Sequence, residues 1–135
     1  MKKTILSLGI SGLLVSCGDK LAPVLSNAIE PDVITEQTPH DTDDPAIWIH
    51  PEDASKSLII GTDKEVGGGL YVYNLDGKIV NQFTNMERPN NVDVAYGIIL
   101  NGKKTDIAVT TERKAHKIRI FSLPDLKPID NGGIE

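Results

Sequence analysis

The chain can be laid over itself, and this constrains its fold more than any single motif. Residues 60–64 (Ile-Gly-Thr-Asp-Lys) fall on residues 109–113 (Val-Thr-Thr-Glu-Arg) at an offset of 49. Residues 71–73 (Tyr-Val-Tyr) fall on residues 118–120 (Ile-Arg-Ile) at an offset of 47, and the loop of Gly67, Gly68 and Gly69 absorbs the difference. Around these anchors lie short apolar runs and turns, with no helical stripe. Residues 46–49, 57–62, 70–75 and 78–83 read as strands of a first unit, and residues 91–96, 106–111 and 117–123 as strands of a second. Asp76-Gly77 between two runs is a hairpin signal, and Asn101-Gly102 marks another turn. A four-stranded unit recurring at this period is the signature of a β-propeller blade, so the expected class is all-β. Residues 40–135 hold material for about two blades, whereas a ring closes with roughly 4–8. The expectation is therefore the N-terminal part of a longer protein.

Of the 135 residues 39% are apolar, enough for about one domain, and the formal charge is −5. No basic run is present, which argues against nucleic acid as a partner. Residues 1–17 have the three-part pattern of an export signal: Lys2 and Lys3, an apolar stretch over 4–15, then Leu14-Val15-Ser16-Cys17. The apolar stretch is too short for an ordinary spanning helix. Cys17 is the only cysteine, and its setting resembles the bacterial lipobox, in which the cysteine becomes the lipid-modified first residue; the alternative is a plain signal peptide with an incidental cysteine. That predicts lipidation at Cys17, anchoring to a membrane of the cell envelope on its periplasmic or outer side, and no disulfide within the chain. Residues 18–39, with Pro23, Pro31 and Pro39, read as a tether in which 33–35 form a short edge strand.

Residues 40–48 carry the densest chemistry. Asp41, Asp43 and Asp44 stand just ahead of an apolar strand, with Pro45 fixing the loop where the two join. Clustered carboxylates raise one another's pKa unless paired, and a hard cation such as Ca²⁺ or Mg²⁺ relieves them. Taken alone, the cluster reads first as a solvated acidic turn, because Asp is abundant in turns. Asp41, Asp43 and Glu52 match EF-hand spacing, but position six is Ala46 rather than Gly, so the match is spurious. Lys64 and Arg113 hold equivalent places, each just after the second strand of its unit. Positions repeated in a propeller face one side of the ring, so two such cations can meet one polyanion; singly, each is an ordinary surface charge. Trp48 reads as packing between blades. The triple glycine, with no helix after it, reads as a flexible hairpin loop rather than a phosphate cradle. His40, His50 and His116 show no metal-site spacing, and neither a nucleophile elbow nor a Walker loop occurs.

Three motifs then stand in order: Asp43-Asp44-Pro45-Ala46-Ile47-Trp48; Asn90-Asn91-Val92-Asp93; and the Leu75-Asp76-Gly77-Lys78 hairpin with Asn101-Gly102-Lys103-Lys104. Together they resemble the β-propeller phytases, the calcium-dependent class of phytate-degrading phosphatases, over residues 41 to about 123. The resemblance implies a six-bladed propeller with its site on the top face. It also implies a 3-phytase-type hydrolase that releases phosphate from myo-inositol hexakisphosphate by attack of water, with Ca²⁺ as cofactor. By the same resemblance Asp43 is a ligand of the active-site calcium cluster. Asp44, with the backbone oxygens of Pro45 and Val92, belongs to a structural calcium site. Lys64 and Arg113 bind phosphate. The family's downstream tyrosine, lysine and acidic ligands have no counterpart here. No catalytic residue is identified beyond metal and phosphate ligands, and the isolated chain is expected to be inactive. The rival expectation is a non-catalytic, calcium-stabilised propeller module at the cell surface that binds a protein or glycan.

Overall fold

A computed structural model describes residues 23–135. The chain divides into two compact units, Met1–Glu30 and Pro31–Glu135. Of the first, the described residues 23–30 are exposed and form one turn, in which the Ala28 N–H donates to the Leu25 carbonyl at 3.0 Å. Cys17 and the expected export signal over residues 1–17 lie outside the described residues.

The second unit is built of strands: β1 (Thr42–Trp48), β2 (Leu58–Asp63), β3 (Gly69–Tyr73), β4 (Ile79–Phe83), β5 (Pro89–Leu100), β6 (Lys103–Glu112), β7 (Lys117–Leu123) and β8 (Lys127–Pro128). Its only helical element among the described residues is a single 3₁₀ turn, Ala54–Lys56, capped by the Asp53 carboxylate on the Ser55 N–H. The strands make two four-stranded antiparallel sheets in sequential order, β1 to β4 and β5 to β8. This is the all-β pattern of two successive propeller blades. The Asp76-Gly77 and Asn101-Gly102 turns close hairpins as expected, the latter with φ of 50° and 77°.

The sheets share one core. Trp48, Ile60, Leu70 and Val72 from the first pack with Val92, Ala108, Phe121 and Leu123 from the second, around Met86 in the connection. Burying each of the larger of these side chains is worth about 1.5–3 kcal/mol, so this shared face is what holds two meanders together. Polar contacts fix the alignment. Trp48 Nε1 donates to Asp106 Oδ2 at 2.8 Å, and Asp106 Oδ1 accepts the Gly97 N–H at 2.8 Å. Tyr96 Oη accepts the Ile49 N–H at 2.9 Å. Trp48 is thus a packing residue between the sheets.

Several expectations need correction. The acidic stretch is not a loop ahead of the strand; Asp43, Asp44 and Pro45 lie inside β1. Between Thr42 and Pro45 the register to β2 slips, leaving an extra residue on β1. The Asp44 N–H donates to buried Thr62 Oγ1 at 3.0 Å instead of to a carbonyl. Pro45, without an N–H, is tolerated because β1 is an edge of its sheet. Strand β5 is twice the expected length because bulges at Asn91 (φ 53°) and Gly97 (φ 64°) carry it past its interruptions. Residues 33–35 form no strand. They lie across the β3–β4 hairpin: the Glu36 N–H donates to the Gly77 carbonyl at 2.8 Å, and its carboxylate accepts the Ile79 N–H at 2.7 Å. Residues 31–39, read as the end of the tether, therefore lie within the second compact unit.

The triple-glycine loop is packed, not flexible. The Gly67 N–H donates to the Met86 carbonyl at 2.9 Å, and the Met86 N–H to the Gly68 carbonyl at 3.0 Å. A Cβ on Gly68 would stand 2.1 Å from the Asp63 carbonyl oxygen, and one on Gly69 2.0 Å from that of Phe83. Backbone on both sides leaves no side chain to move aside. Gly69→Ala is expected to lower the unfolding free energy by about 3 kcal/mol or more. Gly102→Ala, at positive φ in open space, should cost only about 1–2 kcal/mol. Urea titration of both variants checks the order; equal midpoints would contradict it.

Candidate functional site

The site grows from the last residue of β2. Asp63 is fully buried and accepts three hydrogen bonds: from the His40 N–H at 3.1 Å, the Asp41 N–H at 3.1 Å and His40 Nδ1 at 2.8 Å. Burial pushes its carboxyl up. The Asp41 N–H, the His40 side chain and the Glu65 and His40 N–H groups outweigh that and hold it below the ordinary value of 3.8. Asp63 is therefore an anion at neutral pH that ties the chain before β1 to the end of β2.

Lys64 follows directly. Its N–H donates to the Asp41 carbonyl at 3.0 Å. Its Nζ lies 3.2 Å from Asp41 Oδ2 and 3.2 Å from Asp43 Oδ1. The Asp43 carboxylate, then that of Asp41, holds the ammonium above the ordinary lysine value of 10.5. Within the protein, then, a lysine relieves the carboxylate repulsion of this stretch. The predicted phosphate ligand Lys64 and the predicted calcium ligand Asp43 are thereby brought into direct contact.

Asp44 points the other way along β1, across to the second sheet. Its Oδ2 accepts the Val92 N–H at 3.2 Å. Asp44, Asn91, Val92, Asp93 and Thr110 line a common hollow of about 320 Å³. Among the described residues no three His, Cys, Asp or Glu side chains gather as a metal-holding group. A cation beside Asp44 would accordingly draw on main-chain oxygens, and the carbonyls of Pro45 and Val92 belong to the residues that Asp44 joins. Oxygen donors of this kind are the chemistry that Ca²⁺ takes.

The second sheet repeats the arrangement with different charges. Glu112, the last residue of β6, is buried and accepts the Glu87 N–H at 2.7 Å. The Arg113 N–H donates to the Arg88 carbonyl at 3.0 Å, as Lys64 does to Asp41, and Arg113 Nη1 donates to Asn90 Oδ1 at 3.3 Å. Arg113 shares a hollow with Glu65, Val66, Arg88 and Lys114; Lys64 does not line it. The expected equivalence of Lys64 and Arg113 along the repeat is present, but among the described residues Lys64 stands with Asp41 and Asp43 and Arg113 with Arg88 and Lys114. Sequence reasoning missed the capping roles of Asp63 and Glu112, although the overlay had set one upon the other. It also missed Arg119, buried between Glu112 (3.0 Å) and Asp130 (2.7 Å), with its guanidinium 5.5 Å from the Phe83 and Phe121 ring centres. Nothing in a strand reading marks a charged residue as internal.

Comparison with known proteins agrees with this architecture. A profile of the family described as Phytase matches residues 3–129. The 3-phytase of Bacillus subtilis (strain 168) is 45% identical over 83 residues, which are 60% of this chain and 21% of that protein. The chain thus matches about a fifth of the relative's length.

Asp63 offers a direct test of how the site is held. A carboxyl with a depressed folded pKa gives stability that is present above its unfolded value and is lost as pH falls through the folded one. Asp63→Asn should cost about 2 kcal/mol at pH 7. The gap from the native chain should close as pH falls below 3.8. Melting temperatures from pH 2 to 7 check this; a gap independent of pH would contradict it.

Proposed function

The chain belongs to the phytase family, and from that premise we propose that it supplies part of a calcium-dependent phosphatase site that releases phosphate from phytate. What carries the reading is the pairing of Asp43 with Lys64, next to an Asp44 that spans to Val92. A phosphate ester is a dense anion, and the chain is itself acidic, at −5. Positive charge must come from a few placed groups and from bound metal.

The residues divide the work. Asp43 would hold calcium of the active-site cluster, and Asp44 with the backbone oxygens of Pro45 and Val92 would hold a structural ion. Calcium, when bound, supplies charge neutralisation for the phosphate oxygens and acidifies water beside them. Lys64 offers a compact ammonium to phosphate and Arg113 a planar fork. Asp41 and Asp43 keep Lys64 protonated and aimed, while Asp63 fixes the backbone from which all three project. The same reading includes an exported protein lipidated at Cys17 and held at the cell envelope.

The test takes the protein as its gene encodes it and measures phosphate release from phytate with added calcium and with a chelator. Release that requires calcium is expected; release indifferent to chelation, or none, rejects the proposal. Lys64→Ala should lower kcat/KM about tenfold or more, with an unchanged melting temperature in calcium as the check that folding is intact. A separate measurement follows the structural ion. Calcium should raise the melting temperature of the native chain, and Asp44→Asn should remove most of that rise. An equal rise in both would take Asp44 out of the metal site.

A further inference from the structure

Strands β5 and β6 run on past their neighbour at the end of the sheet away from Arg113. Strand β7 ends its pairing at Leu123, opposite Asp106. Beyond that point β5 and β6 pair only with each other, Ile98 with Thr105, Ile99 with Lys104 and Leu100 with Lys103, and close at Asn101-Gly102. The result is a two-stranded arm that projects from the sheet. Such an arm has no core of its own, and its side chains are ordinarily polar. Here Tyr96, Ile98 and Ile99 are 51%, 38% and 62% exposed. The Tyr96 hydroxyl ties this run to the edge of the first sheet. It accepts the Ile49 N–H at 2.9 Å and donates to the Ile47 carbonyl at 3.4 Å, and both isoleucines are more than half exposed. Single exposed apolar side chains are ordinary, but five that adjoin mark a contact surface. The first sheet carries no such arm at this end. Its β1–β2 connection, residues 50–57, is polar and holds its own ion pair, Asp53 with Lys56 at 3.1 Å.

Two lysines follow the turn. The register sets Lys104 opposite Ile99 and Lys103 opposite Leu100, so each has an apolar neighbour across the arm. Both are exposed, and among the described residues neither pairs with a carboxylate. With His50 they line a hollow of about 470 Å³ beside Trp48. Asp106 is the one described carboxylate on its wall, and both its oxygens are already occupied, by Trp48 Nε1–H and by the Gly97 N–H. In a chain of net charge −5 this end is therefore locally positive. Apolar side chains rimmed by unpaired lysines make an interfacial pattern. The lysine stems lie along the apolar boundary, their ammonium groups reach anionic headgroups, and a tyrosine sits at headgroup level. A second copy of the chain fits this surface less well, because a two-fold pairing through it sets lysines against lysines.

We propose that the arm from Tyr96 to Lys104 docks on an anionic lipid surface, with Tyr96, Ile98 and Ile99 in the interface and Lys103 and Lys104 among the headgroups. Strand β6 runs from Lys103, in the arm, to Glu112, just before Arg113. The docked end and the candidate site thus lie at opposite ends of one strand, roughly 30 Å apart by its rise, and docking leaves the site open to solvent. The surface rests on exposure, register and charge. It depends neither on the function proposed above nor on a lipid at Cys17.

The test uses the full chain with Cys17→Ser, which leaves no thiol to lipidate, and Ile99→Trp as reporter. Trp48 is the only native tryptophan and is buried, so an emission change on adding vesicles comes from position 99. Vesicles of phosphatidylglycerol with phosphatidylcholine are compared with phosphatidylcholine alone. A saturable blue shift is expected with the anionic vesicles only, and added salt should reverse it. Lys103→Gln with Lys104→Gln should weaken binding about tenfold or more. In the chain without the reporter, Ile98→Ser with Ile99→Ser should lose co-sedimentation with anionic vesicles and keep the native melting temperature. An emission that vesicles leave unmoved, in a chain of native melting temperature, overturns the proposal. So does an equal response to neutral vesicles, or vesicle binding that the paired lysine change leaves intact. Self-association lost in the paired serine variant, with no response to vesicles, assigns the surface to a second copy and overturns it too.

Discussion

A buried carboxylate at the end of the second strand holds each sheet to the segment that leads into its first strand. Asp63 accepts the N–H groups of His40 and Asp41; Glu112 accepts that of Glu87. An antiparallel meander satisfies its ladders internally but leaves the chain before its first strand without partners. That chain must still be fixed, because the sheets pack face to face and an ill-placed β1 or β5 would open the shared core. A neutral acceptor would do this weakly. A carboxylate makes bonds of about 1.5–3 kcal/mol each in a setting where an unbonded charge could not remain. In the second sheet Arg119 also pairs with Glu112 inside the protein, so the charge is met as well as bonded.

Every feature of the site hangs on these caps. With the segment before the first strand fixed, the residue after the second strand runs beside it, and its N–H bonds back: Lys64 to Asp41, Arg113 to Arg88. The side chain of that residue is delivered to one end of its sheet whatever else changes. The repeat thus supplies a cation at a defined place in each sheet, and the neighbouring residues decide how far it is neutralised. Two aspartates do so in the first. In the second, an asparagine and an arginine leave the charge open.

How much of this could be read from sequence follows from the physics of each element. Residues 117–123 were legible to the residue, and the two glycine turns were placed correctly, because alternation and Asn/Asp-Gly chemistry are local signals. The start of β1 was not. Asp43-Asp44-Pro45 has the composition of a loop, and only a buried threonine on the next strand, Thr62, makes it part of a sheet. The length of β5 was hidden by Gly97, which punctuates a pattern locally but serves as a bulge once Asp106 accepts its N–H. The triple glycine looked loose because its constraint, the carbonyls of Asp63 and Phe83, comes from elsewhere in the chain. The candidate residues could be listed from sequence. Their grouping could not: the overlay joined Lys64 to Arg113, while the folded chain joins Lys64 to Asp41 and Asp43, and Arg113 to Arg88 and Lys114.

That grouping settles an apparent conflict in the first sheet. A lysine already bonded to two carboxylates would seem a poor ligand for phosphate. The pairs are partly exposed, however, with about a third of the Lys64 and Asp43 side chains open to solvent, and exposed ion pairs contribute little. They are enough to hold a flexible ammonium in one place and, in the proposed site, would be too weak to keep a phosphate away. On the function proposed above, they would also couple the cation to the metal site. A divalent ion taking Asp43 would withdraw one of the two carboxylates from Lys64 and leave its ammonium freer for an anion. Metal and phosphate would then favour one another through a shared aspartate, and the acidic character of residues 41–44 would become a requirement for binding an anion rather than an obstacle to it.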